Sequence, residues 1–147
     1  MRLQICAAHF GIQTALRPGL KALGVHSRRI KVASPWKAEC SIDLDQALHA
    51  QHPNEPRWDY GVELTFGQHR AIDWVEVHPA YSSEVGTVLA KLAWLKRLLA
   101  TGEANGACSA GSFHWLATDA GVHIDSAPRR RLNAAGLRMP QSMLQLG

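Results

Sequence analysis

The chain contains little cysteine and no cysteine motif. Its three cysteines, Cys6, Cys40 and Cys108, are odd in number and widely spaced. This spacing argues against a disulfide framework and against CxxC metal sites, and it predicts reduced thiols. Polar residues interrupt the apolar residues near the N-terminus, so no secretory signal is expected. The sequence therefore predicts a cytoplasmic protein.

A long uninterrupted apolar run is also missing. The most apolar stretch, residues 85–100, contains Lys91, Lys96 and Arg97, so it is not expected to span a bilayer and no membrane partner is predicted. Apolar residues make up 46% and charged residues 19% of the 147 positions, a composition typical of a globular chain. The length is that of one domain, and no internal repeat divides it.

Basic and acidic residues are unevenly distributed along the chain. Residues 1–40 carry seven Lys/Arg and one acidic residue. Residues 41–126 carry five Lys/Arg and eleven acidic residues, and residues 127–147 carry four arginines and no acidic residue. We expect a basic N-terminal extension that packs on or flanks a core at 41–126. A basic C-terminal helix and tail then follow the core.

An acidic centre between two basic ends favours a phosphate-bearing partner, and nucleic acid is the partner that we expect. The alternative is that both basic ends are solvated surface. The side chains expected to contact nucleic acid are Arg28, Arg29, Lys31, Arg129, Arg130 and Arg131.

Hydrophobic periodicity predicts alternating helices and strands from residue 41 onward. A candidate edge strand at 28–32 precedes them, and Ser41 is expected to cap a helix that ends at Pro53. The pattern then predicts a strand at 58–66, a four-residue turn at 67–70, a strand at 71–78, a helix at 85–99, a strand at 112–118 and a helix at 129–137. This order predicts an α/β fold of the α+β type, in which helices pack on a small mixed sheet within a single domain.

The predicted hairpin brings two carboxylates and an imidazole together. With a four-residue turn, the residue numbers of two paired positions add up to 137. Asp59 then lies opposite His78, and Gly61 lies opposite Glu76. Residues two apart on a strand share a face, which places Glu76 and His78 together. Gly61 has no side chain and leaves room beside Glu76. A one-residue slip in register would separate Asp59 from this group.

Carboxylate oxygens at this spacing suit Mg²⁺ or Mn²⁺, and the chemistry expected of such a centre is phosphodiester hydrolysis. His78 could add a nitrogen ligand or act as a general base. The alternative is that each residue is structural: Asp59 begins a strand, Glu76 pairs with an arginine, and His78 makes a hydrogen bond before Pro79.

The motif resembles that of the PD-(D/E)XK nuclease superfamily. Asp59 resembles the first acid, Glu76-Val77-His78 resembles the (D/E)-X-K tripeptide, and a helix and a strand follow in the family's order. The resemblance covers roughly residues 41–124. It implies a restriction-endonuclease-like core, and it implies that Asp59, Glu76 and the Val77 carbonyl hold the metal.

The chain departs from the family pattern at two positions. Trp58 replaces the proline before the first acid, and His78 replaces the lysine. A lysine supplies a fixed positive charge that neutral histidine lacks. We expect Lys91 or Lys96, on the following helix, to reach the site and supply that charge.

The sequence therefore predicts a divalent-metal-dependent nuclease or nuclease-like domain that acts on DNA or RNA. The alternative is a non-catalytic nucleic-acid-binding or protein-interaction module that retains the fold. A third reading is a small accessory protein without a ligand. The sequence leaves the oligomeric state open, a homodimer included.

Overall fold

A five-stranded mixed sheet forms the centre of the computed structural model, which describes residues 2–101, 106, 108 and 111–147. The strands are β1 (Arg17–Pro18), β2 (Ile30–Val32), β3 (Lys37–Asp43), β4 (Tyr60–Phe66), β5 (His69–Tyr81), β6 (Phe113–His123) and β7 (Leu144–Leu146). The α-helices are α1 (Arg2–His9), α2 (Leu44–Ala47), α3 (Val85–Leu99) and α4 (Ser126–Ala135). The 3₁₀ segments are Gln13–Ala15, Lys21–Arg29 and Ser82–Glu84.

The strand order of the main sheet is β1-β3-β4-β5-β6. Strands β3, β4 and β5 form an antiparallel meander, whereas β6 runs parallel to β5. A parallel neighbour needs a crossover connection, and α3 lies in that connection. The α+β prediction, with one mixed sheet and helices packed on it, is confirmed.

Each face of the sheet is covered by its own hydrophobic core. One core contains Trp74 and Trp115 together with the apolar faces of α1 and α3. The other contains Val75 and Leu116 together with Leu23 from the 3₁₀ segment Lys21–Arg29. Successive residues of β5 therefore point to different cores, as the period of two requires.

Strands β2 and β7 pair in parallel as a second sheet. Ile30 lies opposite Leu144 and Val32 lies opposite Leu146, and three of these four residues are buried in the same core. The edge strand predicted at 28–32 is therefore present as β2. Its partner comes from the C-terminal segment, which the sequence pattern did not predict as a strand.

Helix α3 follows the predicted boundaries closely. Val85, Val88, Leu92 and Leu95 are buried at helical spacing, and Lys91 lies between them on the side that faces the open end of the hairpin. Within residues 2–101, 106, 108 and 111–147, no helix is both long and apolar enough to cross a membrane.

The hairpin has a tighter turn than the sequence predicts. Phe66 pairs with His69, so the loop is Gly67-Gln68, and Gly67 adopts a φ of +59°. Glycine takes this conformation without a steric penalty, which permits the two-residue turn. Paired positions therefore sum to 135, and the predicted register is wrong by two residues. A shift of two leaves every side chain on its predicted face.

The helix predicted from Ser41 is wrong in its first residues. Ser41 and Ile42 lie in β3, paired with β4, and both are fully buried. The Ser41 hydroxyl accepts a hydrogen bond from the Ala22 amide at 3.1 Å instead of capping a helix. The short α2 begins after Asp43, whose carboxylate accepts from the Gln46 amide at 2.9 Å.

Helix α1 is not among the elements that the sequence predicts. Its buried residues, Leu3, Cys6 and Ala7, have helical spacing but cover little more than one turn. The Leu3 amide donates a hydrogen bond of 2.6 Å to the fully buried carboxylate of Glu63, which also pairs with Arg70 at 2.7 Å. A negative charge at the helix N-terminus is favourable and fixes α1 on the sheet.

The prediction of three reduced cysteines is wrong for two of them. Cys6 and Cys108 form a disulfide with a Cα–Cα distance of 5.5 Å. Cys40 has a free, buried thiol, and burial, followed by the charge of Glu63, raises its pKa to about 11. Docking of α1 makes the disulfide possible, and no local sequence pattern indicates it.

Gly61 leaves room for Trp74 rather than for Glu76. The two residues face each other across the hairpin, and a Cβ on Gly61 would lie 2.5 Å from the Trp74 ring. We predict that Gly61→Ala lowers the free energy of unfolding by about 1–3 kcal/mol through overpacking. Gly86→Ala is the matched control, because a Cβ there meets nothing within 4 Å. Urea denaturation should show a loss for the first variant and none for the second.

We also predict that the disulfide contributes to stability, because it joins residues 102 positions apart. Replacing Cys6 and Cys108 by alanine should lower the free energy of unfolding by about 2–4 kcal/mol. Dithiothreitol should destabilise the original protein by a similar amount and leave the double variant unchanged. Equal stability of the two proteins without reductant would contradict the prediction.

Candidate active site

Two carboxylates meet at the end of the hairpin. The Asp59 amide donates to Glu76 Oε1 at 3.2 Å, and the Val77 amide donates to Asp59 Oδ2 at 2.9 Å. Each acid is thus held by the backbone of the other strand. The corrected register explains this arrangement, because positions that sum to 135 place Asp59 beside Glu76 instead of His78.

Lys91 reaches both carboxylates from α3. Its Nζ lies 3.4 Å from Asp59 Oδ1 and also donates a hydrogen bond to Glu76 Oε2. The Glu76 side chain is fully buried, whereas those of Asp59 and Lys91 remain 18% and 15% exposed. We call these three residues the carboxylate–lysine cluster, and only its Asp59 and Lys91 edge reaches solvent.

Burial dominates the electrostatics of the cluster. Loss of solvent, together with the charge of Asp59, raises the pKa of Glu76 to about 8, although Lys91 opposes this shift. Burial alone would lower the pKa of Lys91, but the charges of Glu76 and Asp59 outweigh it and raise that pKa. The buried pair therefore holds its protons more strongly than either group would in water.

His78 lies at the margin of the cluster. Its Nε2 is 3.1 Å from Glu84 Oε2, and its Nδ1 is 3.8 Å from Glu76 Oε2. The His78 carbonyl accepts a hydrogen bond from the indole of Trp115 at 2.9 Å, which fixes the backbone of β5 at His78. Glu84 was not predicted as a site residue. Its position six residues after His78, at the start of α3, is a signal that could have indicated it.

Asp43 is a second acid that the sequence analysis did not assign to the site. Burial, followed by the charges of Asp45 and Asp59, raises its pKa, although the Gln46 amide opposes the shift. The negative region thus extends from the cluster to the end of β3. The pairing of β3 with β4, in which Asp43 lies opposite Tyr60, brings Asp43 close to Asp59.

Lys96 lies away from the site, so its predicted role is wrong. Its Nζ donates to the Ala135 carbonyl at 2.7 Å and lies 5.5 Å from the centre of the Phe113 ring. Five residues along a helix correspond to a rotation of about 140° beyond one full turn. Lys91 and Lys96 therefore cannot face the same pocket.

The predicted nucleic-acid contacts lie in two separate regions. Arg28 and Arg29 end the 3₁₀ segment Lys21–Arg29, and Lys31 follows on β2. Arg129, Arg130 and Arg131 lie on α4, where the Arg129 Nε donates to the Ile124 carbonyl at 2.8 Å. All six are exposed, and the sheet separates the first region from α4.

The donor set of the cluster fits a hard divalent cation. Among the described residues, no group of three or more His, Cys, Asp or Glu has the arrangement of a metal site. However, the Lys91 ammonium marks a point that Asp59 Oδ1 and Glu76 Oε2 both reach. A cation at that point would gain two carboxylate ligands, and Lys91 would have to move aside.

Three comparisons bear on the identity of the chain. No protein-family model, no curated protein and no solved structure matches it. The function is therefore argued from the geometry of the site.

The raised pKa of Glu76 predicts a pH dependence of stability. Between about pH 4.5 and about pH 8 the folded protein holds a proton that the unfolded chain has released, so the free energy of unfolding falls as pH rises. The free energy of unfolding should fall by at most about 1.4 kcal/mol per pH unit in this range. Glu76→Gln should remove this slope in urea denaturation with EDTA present. Glu39→Gln, at an exposed site, should keep it.

Proposed function

We propose that this protein is a divalent-metal-dependent nuclease that hydrolyses phosphodiester bonds in DNA or RNA. The observation that carries the proposal is the meeting of Asp59, directly before β4, with Glu76 on β5 and Lys91 on α3. Two acids and one ammonium are the groups that phosphoryl chemistry requires, for holding a metal and for offsetting charge.

The resemblance to the PD-(D/E)XK superfamily supports this proposal. Asp59 and Glu76 take the places of the two acids, and the strand pair β4 and β5 is followed by α3 and β6 in the family's order. Lys91 replaces the lysine missing from the tripeptide. The distance of 3.4 Å between Lys91 Nζ and Asp59 Oδ1 supports Lys91, rather than His78, as the source of the fixed charge.

In this proposal Asp59, Glu76 and the Val77 carbonyl would hold Mg²⁺ or Mn²⁺. The bound metal would supply Lewis-acid polarisation of the phosphate. Lys91 then moves from the carboxylates toward the attacked phosphate, where its charge offsets the negative charge that develops. Asp59 and Lys91 form the solvent-facing edge, so the phosphate approaches from that side.

His78 is the candidate general base. When Nε2 carries the hydrogen and donates a hydrogen bond to Glu84 at 3.1 Å, the lone pair lies on Nδ1, the nitrogen that faces Glu76. Nδ1 can then accept a proton from a water molecule beside the cluster. The Trp115 bond to the His78 carbonyl keeps this part of β5 in place.

The second candidate is a non-catalytic nucleic-acid-binding or protein-interaction module. One observation favours it: Lys91 already pairs with both carboxylates, and the Glu76 side chain has no exposure. A closed ion pair can stabilise a fold without binding a metal. Metal affinity therefore discriminates between the two candidates.

A cytoplasmic location remains a proposal. It rested on the absence of a secretory signal and on three reduced cysteines. The second argument does not hold for Cys6 and Cys108, which are joined in a disulfide, and disulfides persist mainly in oxidising compartments.

The proposal predicts metal-dependent cleavage of single-stranded or duplex DNA or RNA. In Mg²⁺ or Mn²⁺, Asp59→Asn should lower the cleavage rate by roughly 100-fold or more, because an amide lacks the charge that holds the cation. Lys91→Met should have a similar effect. Lys96→Met is the matched control on the same helix and should cleave at the original rate.

Calorimetry with Mn²⁺ separates the roles within the cluster. Glu76→Ala should abolish binding, whereas Lys91→Met should bind Mn²⁺ at least as tightly as the original protein, because the competing ammonium is gone. If the protein binds nucleic acid but neither cleaves it nor binds Mn²⁺, the result would instead support the non-catalytic module.

A further inference from the structure

The 3₁₀ segment Lys21–Arg29 crosses the sheet on the face opposite α3. The Ala22 amide donates to Ser41 on β3 at 3.1 Å, and the His26 ring lies 6.2 Å from the Tyr60 ring on β4. Gly24 breaks the segment with a φ of +56°, so the chain changes direction there. Leu23 is buried beneath the segment, which fixes it to the sheet.

A cavity of about 400 Å³ lies at the far end of this segment. The described residues that line it are Val25, His26, Arg28, Arg29 and Thr118. The lining thus includes two arginines, a histidine and a threonine, whose side chains carry a guanidinium, an imidazole and a hydroxyl group. These are donors that suit a phosphate, and arginine can bind phosphate through two parallel hydrogen bonds.

The cavity lies at the same end of the sheet as the carboxylate–lysine cluster. Thr118 on β6 pairs with Pro79 on β5, the residue directly after His78. On the other side, Tyr60, which is next to the His26 ring, directly follows Asp59. The cavity and the cluster thus lie on opposite faces of the sheet, at the same end of its strands.

We infer that this cavity binds a backbone phosphate of the nucleic acid that the cluster cleaves, close in sequence to the cleaved bond. The inference rests on the proposed function and adds His26 and Thr118 to the binding residues. A nucleic-acid strand that passes this end of the sheet can contact both the cavity and the carboxylate–lysine cluster. Val25, which is 71% exposed beside the cavity, offers an apolar contact for the adjoining sugar or base.

Another basic cavity, lined on α4 and after it by Arg129, Arg130 and Arg138, has a different character. Its lining also includes Leu137 and Met139, and the Arg129 Nε is already bonded to a backbone carbonyl. In the Arg28 and Arg29 cavity, the described residues contribute a single apolar side chain. The chemistry of that cavity is therefore better matched to a phosphate.

The test measures binding without cleavage. Fluorescence anisotropy of a labelled DNA duplex and of its separated strand is recorded in EDTA over a series of salt concentrations. Arg28→Gln with Arg29→Gln should weaken binding roughly tenfold and reduce the salt slope by about 1 to 2, as expected when phosphate contacts are lost. Arg28→Lys with Arg29→Lys should retain the salt slope but only part of the affinity, because lysine keeps the charge and loses the two parallel hydrogen bonds.

The matched control removes the same charge elsewhere. Lys37→Gln with Arg97→Gln alters two exposed cations outside the cavity and should weaken binding much less. Equal effects of the two glutamine pairs, or no binding by the original protein, would overturn the inference. If the original protein binds through Arg28 and Arg29 but never cleaves in Mg²⁺ or Mn²⁺, the phosphate site in the cavity stands, whereas its link to a cleaved bond fails together with the nuclease proposal.

A second variant tests whether the nucleic acid binds at this cavity, and it leaves the charge of the protein unchanged. Val25→Cys introduces an exposed thiol, and Cys40 is buried and the other cysteines are bonded, so a bulky maleimide should react at position 25. The adduct should block the cavity and weaken binding, whereas the unmodified variant should bind normally. Unchanged binding by the adduct would also overturn the inference.

Discussion

The burial of Glu76 is the constraint on which the site depends. A carboxylate without solvent is costly unless charges and hydrogen bonds replace the lost water. Here the Asp59 amide and the Lys91 ammonium replace it. The requirement ties β4, β5 and α3 into one arrangement, because Asp59 directly precedes β4, Glu76 lies on β5 and Lys91 lies on α3. If the cluster admits a metal, Lys91 has to separate from Asp59 and Glu76 first.

The two-residue error in the hairpin shows what the sequence can determine. Alternation of apolar and polar residues specifies which face of the sheet a side chain occupies. The predicted faces are correct even though the predicted turn is two residues too long. The turn length itself depends on the conformation of Gly67, which alternation does not report. The closeness of Asp59 and Glu76 was therefore predictable, whereas the identity of the residue opposite Asp59 was not.

Other features depend on contacts between distant parts of the chain. Ser41 resembles a helix cap in its local sequence, yet pairing with β4 and the Ala22 amide place it in a strand. Helix α1 depends on Glu63, and the disulfide joins residues that no motif relates. In each case tertiary contacts decided between local alternatives of similar energy.

The pairing of β2 with β7 has a consequence for biosynthesis. Residues 30–32 receive their strand partner only when residues 144–146 have left the ribosome, and parallel pairing over such a separation forms slowly. The 3₁₀ segment that forms the basic cavity ends at Arg29, directly before β2. Ala22 and Leu23 can hold the first half of that segment on the sheet without β7, whereas its last turn, with Arg28 and Arg29, gains the restraint of the β2–β7 pairing only after residues 144–146 have been synthesised.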